Sequence, residues 1–368
     1  MFIHSLEAKN VLSFGPSGGA IELKPLNILI GPNGSGKSNL IDIISLLQAL
    51  PRDITVPIRE GGGIRDWIWK GAMHPYFPDI PGGTPCIIEV VTEDRYSHLN
   101  SLRYSLHFTE KTQRFDILDE TLNDDTISDI YGTVDSRQSA MSRFKGPIYP
   151  EITHLGNTFG NIRIYRNWSF GRHTPLRQPQ KSDLPNIWLE ENFTNLGLVL
   201  NRLQQNAETK KKFLKNLNAL YDGIDDYGVN IEGGTVQVFF HEGRFTIPAT
   251  RLSDGTLRYL CLLAILCNPT PPPLVCIEEP ELGLHPDVLS TLAELMIEAS
   301  QKTQLIVTTH SSQLVDKFTD SPDSVIVCEK HEGATTMKRL DKESLSAWLK
   351  DYSLGEVWSM GEIGGNRW

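Results

Sequence analysis

The residues with the clearest chemical potential form a glycine-rich loop near the start of the chain. The spacing Gly-x-x-x-x-Gly-Lys-Ser is matched by Gly31-Pro32-Asn33-Gly34-Ser35-Gly36-Lys37-Ser38. Glycines at this spacing let backbone N–H groups turn toward phosphate oxygens, and a following helix adds its positive N-terminus. Lys37 would reach the outer phosphates, and Ser38 offers a hydroxyl to Mg²⁺. The loop therefore predicts a site for a nucleotide and its Mg²⁺, with ATP as the expected ligand.

The elements around this loop have the order that such a site requires. The apolar run 26–30 predicts a buried strand that leads directly into the loop. From Lys37 onward, apolar residues recur at helical spacing until Pro51, which predicts a helix ending there. Strand, glycine loop and helix together favour a phosphate-binding loop over a chance glycine turn.

A pair of acidic residues follows a second apolar run. Leu274 to Ile277 predicts a strand, and Glu278 and Glu279 follow it directly. The first carboxylate would lie beside Mg²⁺, and the second would polarise the attacking water. Two glutamates after a strand are more often a solvated helix start, but the glycine loop upstream favours the catalytic interpretation.

Two shorter elements complete the set. Leu252-Ser253-Asp254-Gly255-Thr256 predicts a helix N-cap before the apolar helix 257–266. Thr308-Thr309-His310-Ser311 follows the apolar run 305–307, and a lone histidine in such a place is more often structural than catalytic.

The pattern of elements predicts an α/β protein. Strands at 274–277, 305–307 and 325–327 alternate with helices after Pro286 and Ser311, which favours a mostly parallel sheet. Further strands are predicted near 2–9, 21–24, 86–92, 102–109 and 113–118, helices at 196–203 and 210–220, and a hairpin from 237–240 and 245–247. The polar segment 123–143 is predicted to be a mobile loop.

Composition places the chain among globular proteins. Its 368 residues are 39% hydrophobic and 22% charged, enough for one large domain or two lobes. A net charge of −10 argues against a chain that coats nucleic acid by bulk charge. The five cysteines occur singly in apolar surroundings, which favours buried, reduced thiols over zinc or redox sites. No apolar run is long enough for a membrane span and no signal peptide begins the chain, so a cytoplasmic location is expected.

The ordered motifs resemble the ABC-type ATPases of the RecF, SMC and OLD-nuclease group. That resemblance implies a P-loop ATPase head with two lobes, and the absence of heptads predicts that it lacks a long coiled-coil arm. The whole chain, including its ending 361–368, resembles stand-alone bacterial "AAA family" ATPases that are paired with other proteins in phage defence. No Asn-Lys-x-Asp occurs, which disfavours GTP.

The resemblance gives each motif a role in a site shared by two subunits. Lys37, Ser38, Glu278, Glu279 and the switch histidine His310 would come from one subunit. The other would contribute the signature residues Ser253 and Gly255, together with Arg258. The segment 283–286 would cross the dimer interface. A homodimer closed by ATP, with the option of a higher assembly, is therefore expected.

Other implied positions have structural alternatives. A glutamine loop is expected at Gln178 or Gln180, although either glutamine could lie in a surface turn. Phe14 lies where the group approaches the base, but an aromatic residue there is more often part of the core. The implied division is a nucleotide-binding lobe at 1–165 and 270–340, a helical lobe at 166–269 and a tail at 341–368.

Three functions fit these patterns. The leading hypothesis is a regulatory ATPase in antiviral defence that controls a separate effector, a TOPRIM nuclease or other toxin, with the tail 358–368 either docking that effector or closing the core. About 40 residues follow the last predicted strand, too few for a nuclease domain of its own.

A RecF-like DNA-binding ATPase is the alternative, because the aromatic residues Tyr165, Trp168 and Phe170 alternate with the basic residues Arg163, Arg166, Arg172, His173, Arg177 and Lys181. A transporter subunit fits the large middle segment poorly.

Overall fold

The computed structural model describes residues 2–72, 85–93, 101–127, 135–171 and 173–365. The chain divides into two compact units. The first contains Met1–Ile162, Ser321–Tyr352 and Glu356–Trp368, and the second contains Arg163–Asp320 and Ser353–Gly355. The glycine loop belongs to the first unit, and the acidic pair belongs to the second.

The first unit contains an antiparallel sheet. Its strands, in the order β2-β1-β4-β5-β6-β7, are β1 (Ile3–Lys9), β2 (Ile21–Glu22), β4 (Cys86–Glu93), β5 (Ser101–Lys111), β6 (Arg114–Leu122) and β7 (Asp125–Thr126). Along β4, buried and half-buried residues alternate, as the two-residue period of a strand with one face on the core requires.

The glycine loop of the first unit follows β3 (Leu26–Ile30). This strand pairs in parallel with β15 (Val325–His331), which pairs in antiparallel with β16 (Ala334–Arg339). Every residue of β3 is buried, which explains why four of its five residues are apolar; the fifth, Asn27, donates its side-chain amide to the Lys24 carbonyl at 2.6 Å. Helix α1 (Lys37–Ala49) begins inside the loop and ends before Pro51, as its spacing predicts.

The remaining helices of the first unit are short. They are α2 (Thr55–Glu60), α3 (Ile64–Trp67), α4 (Ala140–Arg143) and α5 (Pro150–Gly160). The prediction of a mobile loop at 123–143 is wrong at both ends, where β7 and α4 lie, while 128–134 lies outside the described residues. Ala140 and Met141 are buried.

The carboxylate of Glu120 explains why α4 is ordered. It accepts hydrogen bonds from the Tyr104 hydroxyl at 2.7 Å, from the Ala140 N–H at 2.8 Å and from the Ser139 hydroxyl. Burial raises the pKa of Glu120, and its three donors counteract that cost. A long-range contact of this kind leaves no local pattern in the sequence.

The second unit combines a parallel and an antiparallel sheet. Strand β13 (Leu274–Glu278) pairs in parallel with β14 (Gln304–Thr308) on one side and β8 (Arg163–Tyr165) on the other. The antiparallel strands are β9 (Gln180–Lys181), β10 (Asp226–Glu232), β11 (Thr235–Glu242) and β12 (Phe245–Pro248). The helices are α6 (Leu196–Leu203), α7 (Ala207–Leu217), α8 (Asp254–Leu266), α9 (Leu289–Ser300) and α10 (Ser312–Val315). Helix α11 (Leu354–Ser359) begins in the second unit, and its residues 356–359 belong to the first.

Most predicted elements are confirmed within a few residues. Several elements were not predicted from the sequence patterns: strands β8, β9, β10 and β16 and helices α2, α3, α5 and α11. The five cysteines are buried and carry free thiols, as expected. Within the described ranges, no helix is both long enough and apolar enough to cross a membrane.

We predict that Glu120→Ala destabilises the first unit by about 2–4 kcal/mol, because three buried donors lose their acceptor. The measurement is the apparent melting temperature, with the exposed Glu60→Ala as the matched control. Equal melting temperatures for the two variants would show that Glu120 does not hold α4 in place.

Candidate nucleotide site

The glycine loop has a backbone that only glycine adopts easily. Gly31, Gly34 and Gly36 have φ angles of 144°, 80° and 101°. A Cβ atom on Gly31 would lie 2.2 Å from the Cys328 carbonyl oxygen. Lys37 Nζ donates hydrogen bonds to the carbonyl oxygens of Gly31 at 2.7 Å and Pro32 at 3.0 Å, so the lysine closes the arch of the loop.

Two hydroxyl groups support the loop from the inside of the first unit. Thr335 Oγ1 lies 2.9 Å from the Ser35 carbonyl oxygen and 2.6 Å from Ser13 Oγ. Asn39 Nδ2 donates to Ser13 Oγ at 2.6 Å. Sequence reasoning missed all three supporting residues, because Ser13 and Thr335 come from other segments of the chain and Asn39 lies just outside the motif.

The loop divides into a buried and an exposed side. Ser35, Gly36 and Lys37 are buried, whereas Asn33, Gly34 and Ser38 are exposed. A Cβ atom on Gly34 would meet nothing within 4 Å, so backbone N–H groups on this side can be approached closely. Among the described residues, the buried Ser35 Oγ has no hydrogen-bond partner. The exposed amides and the Ser38 hydroxyl fit an anion with a hard cation beside it.

The tail of the chain packs against this loop. The Gly365 N–H donates to Glu329 Oε1 at 2.9 Å, and the Trp358 indole N–H donates to the Gly365 carbonyl at 3.4 Å. A Cβ on Gly365 would lie 3.4 Å from the Gly31 Cα. Trp358 is buried, so it closes the core, and Phe14 is also fully buried. Residues 366–368 of the predicted docking tail lie outside the described residues.

In the second unit, the acidic pair leaves the end of β13 in a turn. Glu278 Oε1 lies 3.6 Å from the Arg166 Nε, and the Trp168 indole N–H donates to the Glu278 carbonyl at 2.8 Å. Glu279 has a φ of 45°, in the left-handed region that a non-glycine residue adopts only when its surroundings hold it there.

The structure places Glu279 and His310 together. The Glu279 N–H donates to the Thr308 carbonyl at 3.0 Å, which fixes the turn to the end of β14. Glu279 Oε1 then lies 3.6 Å from His310 Nε2, and both side chains are about one-third exposed, 37% and 36%. The two residues that the sequence assigned to catalysis therefore share one accessible place at the carboxyl ends of neighbouring parallel strands.

A third acid, Glu281, joins the same turn and has no role in the sequence-based assignment. Its Oε1 accepts hydrogen bonds from Thr309 Oγ1 at 2.6 Å and from the His310 N–H at 3.1 Å. Burial raises the pKa of Glu281, and the nearby Glu279 adds to this shift. The signal that could have found it is the acid three positions after Glu278.

The signature segment caps helix α8 as predicted. Ser253 Oγ accepts the Thr256 N–H at 3.1 Å, and Ser253 itself is exposed. A Cβ on Gly255 would lie 2.6 Å from the Gly283 carbonyl oxygen, so the start of α8 contacts the turn after the acidic pair. Arg177 donates to the carbonyls of Thr250 and Leu252, both at 2.8 Å, and pairs with the Asp254 carboxylate.

Arg258, which the resemblance assigned to the site of an opposite subunit, is buried and hydrogen-bonded within its own chain. We expected it to contact the nucleotide of an opposite subunit, but it is only 7% exposed. Its guanidinium donates hydrogen bonds to the carbonyls of Glu279 and Leu282 in its own chain. It is therefore engaged within the second unit.

The two candidates for the glutamine loop have different surroundings. Gln180 is buried, and its Oε1 accepts the Gly197 N–H at 2.7 Å, at the start of α6. This contact places Gln180 in the interior of the second unit, and its assignment to the glutamine loop stays a prediction. Gln178 is exposed, and its assignment stays a prediction.

Several of the basic residues that were predicted to contact DNA instead make contacts inside the second unit. The Arg163 guanidinium lies 5.1 Å from the centre of the Trp188 ring, Arg166 pairs with Glu278, and Arg177 holds the signature segment. Arg172 lies outside the described residues. These contacts weaken the argument for a DNA-binding patch, and DNA contact stays a prediction.

Most of the chain matches a known protein family. Residues 26–316 match the model of the family AAA_21, described as "AAA domain, putative AbiEii toxin, Type IV TA system". The match covers the glycine loop, the signature segment, the acidic pair and His310.

The chain belongs to this AAA-domain family.

A more distant relative is the Old nuclease of Escherichia phage P2. The alignment with this nuclease is 380 positions long with 22% identity, and it covers 87% of this chain. The chain spans only 58% of the length of that nuclease, so the similarity concerns a part of it.

Solved structures show the same fold. An SMC head bound to the C-winged helix domain of ScpA superimposes with a TM-score of 0.65 at 17% identity, over 94% of this chain and 99% of that one. The SMC head domain from Thermotoga maritima gives a TM-score of 0.52 at 18% identity, over 93% and 100%. The predicted ABC-type ATPase head of the RecF, SMC and OLD group is confirmed as the fold, and the family places the chain among P-loop ATPases.

We predict that Gly36→Ala weakens nucleotide binding at least about tenfold more than Gly34→Ala. Both positions have positive φ, but a methyl group on Gly36 would lie 2.2 Å from Thr335 Oγ1, whereas the space around Gly34 is open. Titration with a fluorescent ATP analogue measures the difference. Equal losses would show that backbone strain, and not support by Thr335, governs the loop.

Proposed function

We propose that the protein binds and hydrolyses ATP as an ATP-gated homodimer and thereby regulates a separate effector protein. The observation that carries the hydrolytic part is the contact between Glu279 and His310, 3.6 Å apart at the ends of β13 and β14. A carboxylate beside an imidazole, both accessible, suits the activation of water. The glycine loop after β3 supplies the phosphate-binding part of the same function.

The residues that would hold the substrate follow from their chemistry. The exposed loop amides would bind phosphate oxygens, and Lys37 would turn from its carbonyl partners toward the outer phosphates. Ser38 and Glu278 provide oxygen atoms suited to Mg²⁺. When bound, Mg²⁺ would neutralise charge that develops on the phosphate oxygens. Arg166 neutralises Glu278 in the structure described here.

Glu279 and His310 would perform different parts of the reaction. The Glu279 carboxylate would accept a hydrogen bond from water and orient its oxygen toward the terminal phosphorus. An N–H of His310 would donate a hydrogen bond to a terminal phosphate oxygen. This bond would link the presence of that phosphate to the turn that carries Glu279. Catalysis would consist of positioning and charge stabilisation, because phosphoryl transfer passes through a loose transition state.

The dimeric part of the proposal rests on the exposed start of α8. Ser253 is exposed at the N-terminus of this 13-residue helix, where backbone N–H groups favour an anion. Leu282, in the neighbouring turn, is 50% exposed. A terminal phosphate held by a second copy would satisfy these amides, and an apolar contact would bury Leu282. ATP would then join two copies, and hydrolysis would release them.

The regulatory part of the proposal comes from the relatives. The family description names a toxin and a toxin–antitoxin system, and the P2 relative is a nuclease. We infer that the effector activity, a TOPRIM-type nuclease or other toxin, lies on a partner protein in an antiviral system.

The proposed mechanism predicts that different substitutions affect ATP binding and ATP turnover separately. We expect Glu279→Gln to lower kcat at least about 100-fold while ATP affinity changes less than about threefold, because only water orientation is lost. Lys37→Ala should instead weaken ATP binding. Phosphate release and nucleotide titration measure the two effects, with the exposed Arg244→Met as control. Turnover by Glu279→Gln near the wild-type rate would reject Glu279 as the catalytic carboxylate.

Dimerisation is tested by the mass of Glu279→Gln in solution with and without Mg-ATP. We expect the mass to double with ATP, and Ser253→Arg to abolish the doubling because its side chain blocks the start of α8. Asn230→Arg, on an exposed strand residue, is the control and should leave the doubling unchanged. A stable dimer without ATP, or a monomer with ATP demonstrably bound, would contradict assembly through a shared site.

A further inference from the structure

Arg258 is a buried cation in helix α8 whose hydrogen bonds reach the turn that carries Glu279. Its Nη2 donates to the Glu279 carbonyl at 2.9 Å, and its Nη1 donates to the Leu282 carbonyl. Burial lowers the pKa of Arg258 to about 10, which leaves the guanidinium charged at neutral pH. A buried charge is retained only where its contacts offset the loss of hydration, so this turn and the guanidinium depend on each other.

The contacts fix the conformation of Glu279 from both sides. Its N–H is bonded to the Thr308 carbonyl, and its carbonyl is bonded to Arg258. A left-handed φ of 45° is unfavourable for glutamate and persists only where neighbours hold it. This φ sets the direction in which the side chain leaves the backbone, and hence the approach of its carboxylate to His310.

An aromatic ring completes the arrangement. The Arg258 guanidinium lies 4.6 Å from the centre of the Trp168 ring. The indole N–H of Trp168 donates to the Glu278 carbonyl at 2.8 Å, one residue before the left-handed turn. Trp168 therefore contacts both the cation and the backbone that the cation holds, and the ring limits the positions open to the guanidinium.

The same helix begins at the signature segment. Arg258 lies one turn after Asp254, the first residue of α8. The start of α8 also touches the turn directly, since a Cβ on Gly255 would lie 2.6 Å from the Gly283 carbonyl. A rotation of α8 would therefore displace the hydrogen bonds at Glu279 and Leu282 within the same chain.

We propose that Arg258 is a positioning residue that holds Glu279 in its left-handed conformation and so couples the orientation of α8 to hydrolysis in its own subunit. The proposal rests on the proposed ATPase function. It assigns to Arg258 no contact with nucleotide, which separates it from the residues that bind ATP. Its effect is on the rate of hydrolysis and on the order of the segment 279–284.

The kinetic test compares Arg258→Met with Arg258→Lys and with the exposed Arg244→Met. We expect Arg258→Met to lower kcat at least about tenfold with KM for ATP within about threefold of wild type, because ground-state binding is untouched. Arg258→Lys keeps the charge and places its N–H donors on a single nitrogen, so it should recover part of the rate. Arg244→Met should behave as wild type. A wild-type kcat for Arg258→Met, or a loss confined to KM, would overturn the proposal.

A double variant separates positioning from a general loss of stability. Once Glu279→Gln has removed the carboxylate, Arg258→Met should add less than about a twofold further loss of kcat, because both changes act through one group. Independent, additive losses would show that Arg258 acts elsewhere. If Arg258→Met does not fold, Trp168→Phe provides the same comparison, because it keeps an aromatic ring and removes the hydrogen bond to the Glu278 carbonyl.

Hydrogen exchange of the nucleotide-free protein tests the coupling without any catalysis. We expect faster exchange in 279–284 of Arg258→Met, with β13 and β14 unchanged. Unchanged exchange in that segment would overturn the proposal even if ATP hydrolysis is confirmed. If the wild type hydrolyses no ATP, the proposed function fails, while faster exchange in 279–284 would still show that Arg258 holds the turn.

Discussion

Three carboxylates within four residues of one turn are the constraint on which the second unit depends. Glu278, Glu279 and Glu281 would repel one another if they pointed the same way. The left-handed backbone at Glu279 sends them to different neighbours: Arg166, His310 and the Thr309 hydroxyl. Each of these three partners lies at the end of a parallel strand or just after it. The parallel sheet thus provides separate partners for the acids, and the turn distributes the acids among them.

The glycine loop of the first unit is supported mainly by neutral groups. Its glycines have positive φ angles, the conformation that lets peptide N–H groups turn toward an anion. On the buried side, the hydroxyl groups of Ser13 and Thr335 support the loop, the buried Lys37 donates to loop carbonyls, and Gly365 approaches from the tail. The loop is consequently built from residues more than 300 positions apart, although its motif spans eight.

This contrast explains what the sequence could predict. Periodicity located β3, α1, β13 and α8 because burial of a strand or a helix face leaves a regular local pattern. The resemblance to the RecF, SMC and OLD group, which rests on the ordered motifs, brought Glu279 and His310 into one hypothesis. The roles of Gln180 and Arg258 depended on partners far along the chain, at Gly197 and Glu279, and no local pattern encodes them. Helix α4 was missed because a single buried carboxylate, Glu120, anchors it.

Helix α8 shows how one element divides its residues between two tasks. Ser253 and Asp254 are exposed at its start, whereas every residue from Thr256 to Leu266 is buried. Any contribution of this helix to a second subunit is therefore limited to its first turn. Arg258, one turn further, is covered by its own chain. A partner that presses on the exposed turn would transmit that force through the helix to the backbone of Glu279, because the helix is stiffer than the turn against which it packs. Assembly and hydrolysis would then be linked through a path that requires no residue of the partner near the carboxylate.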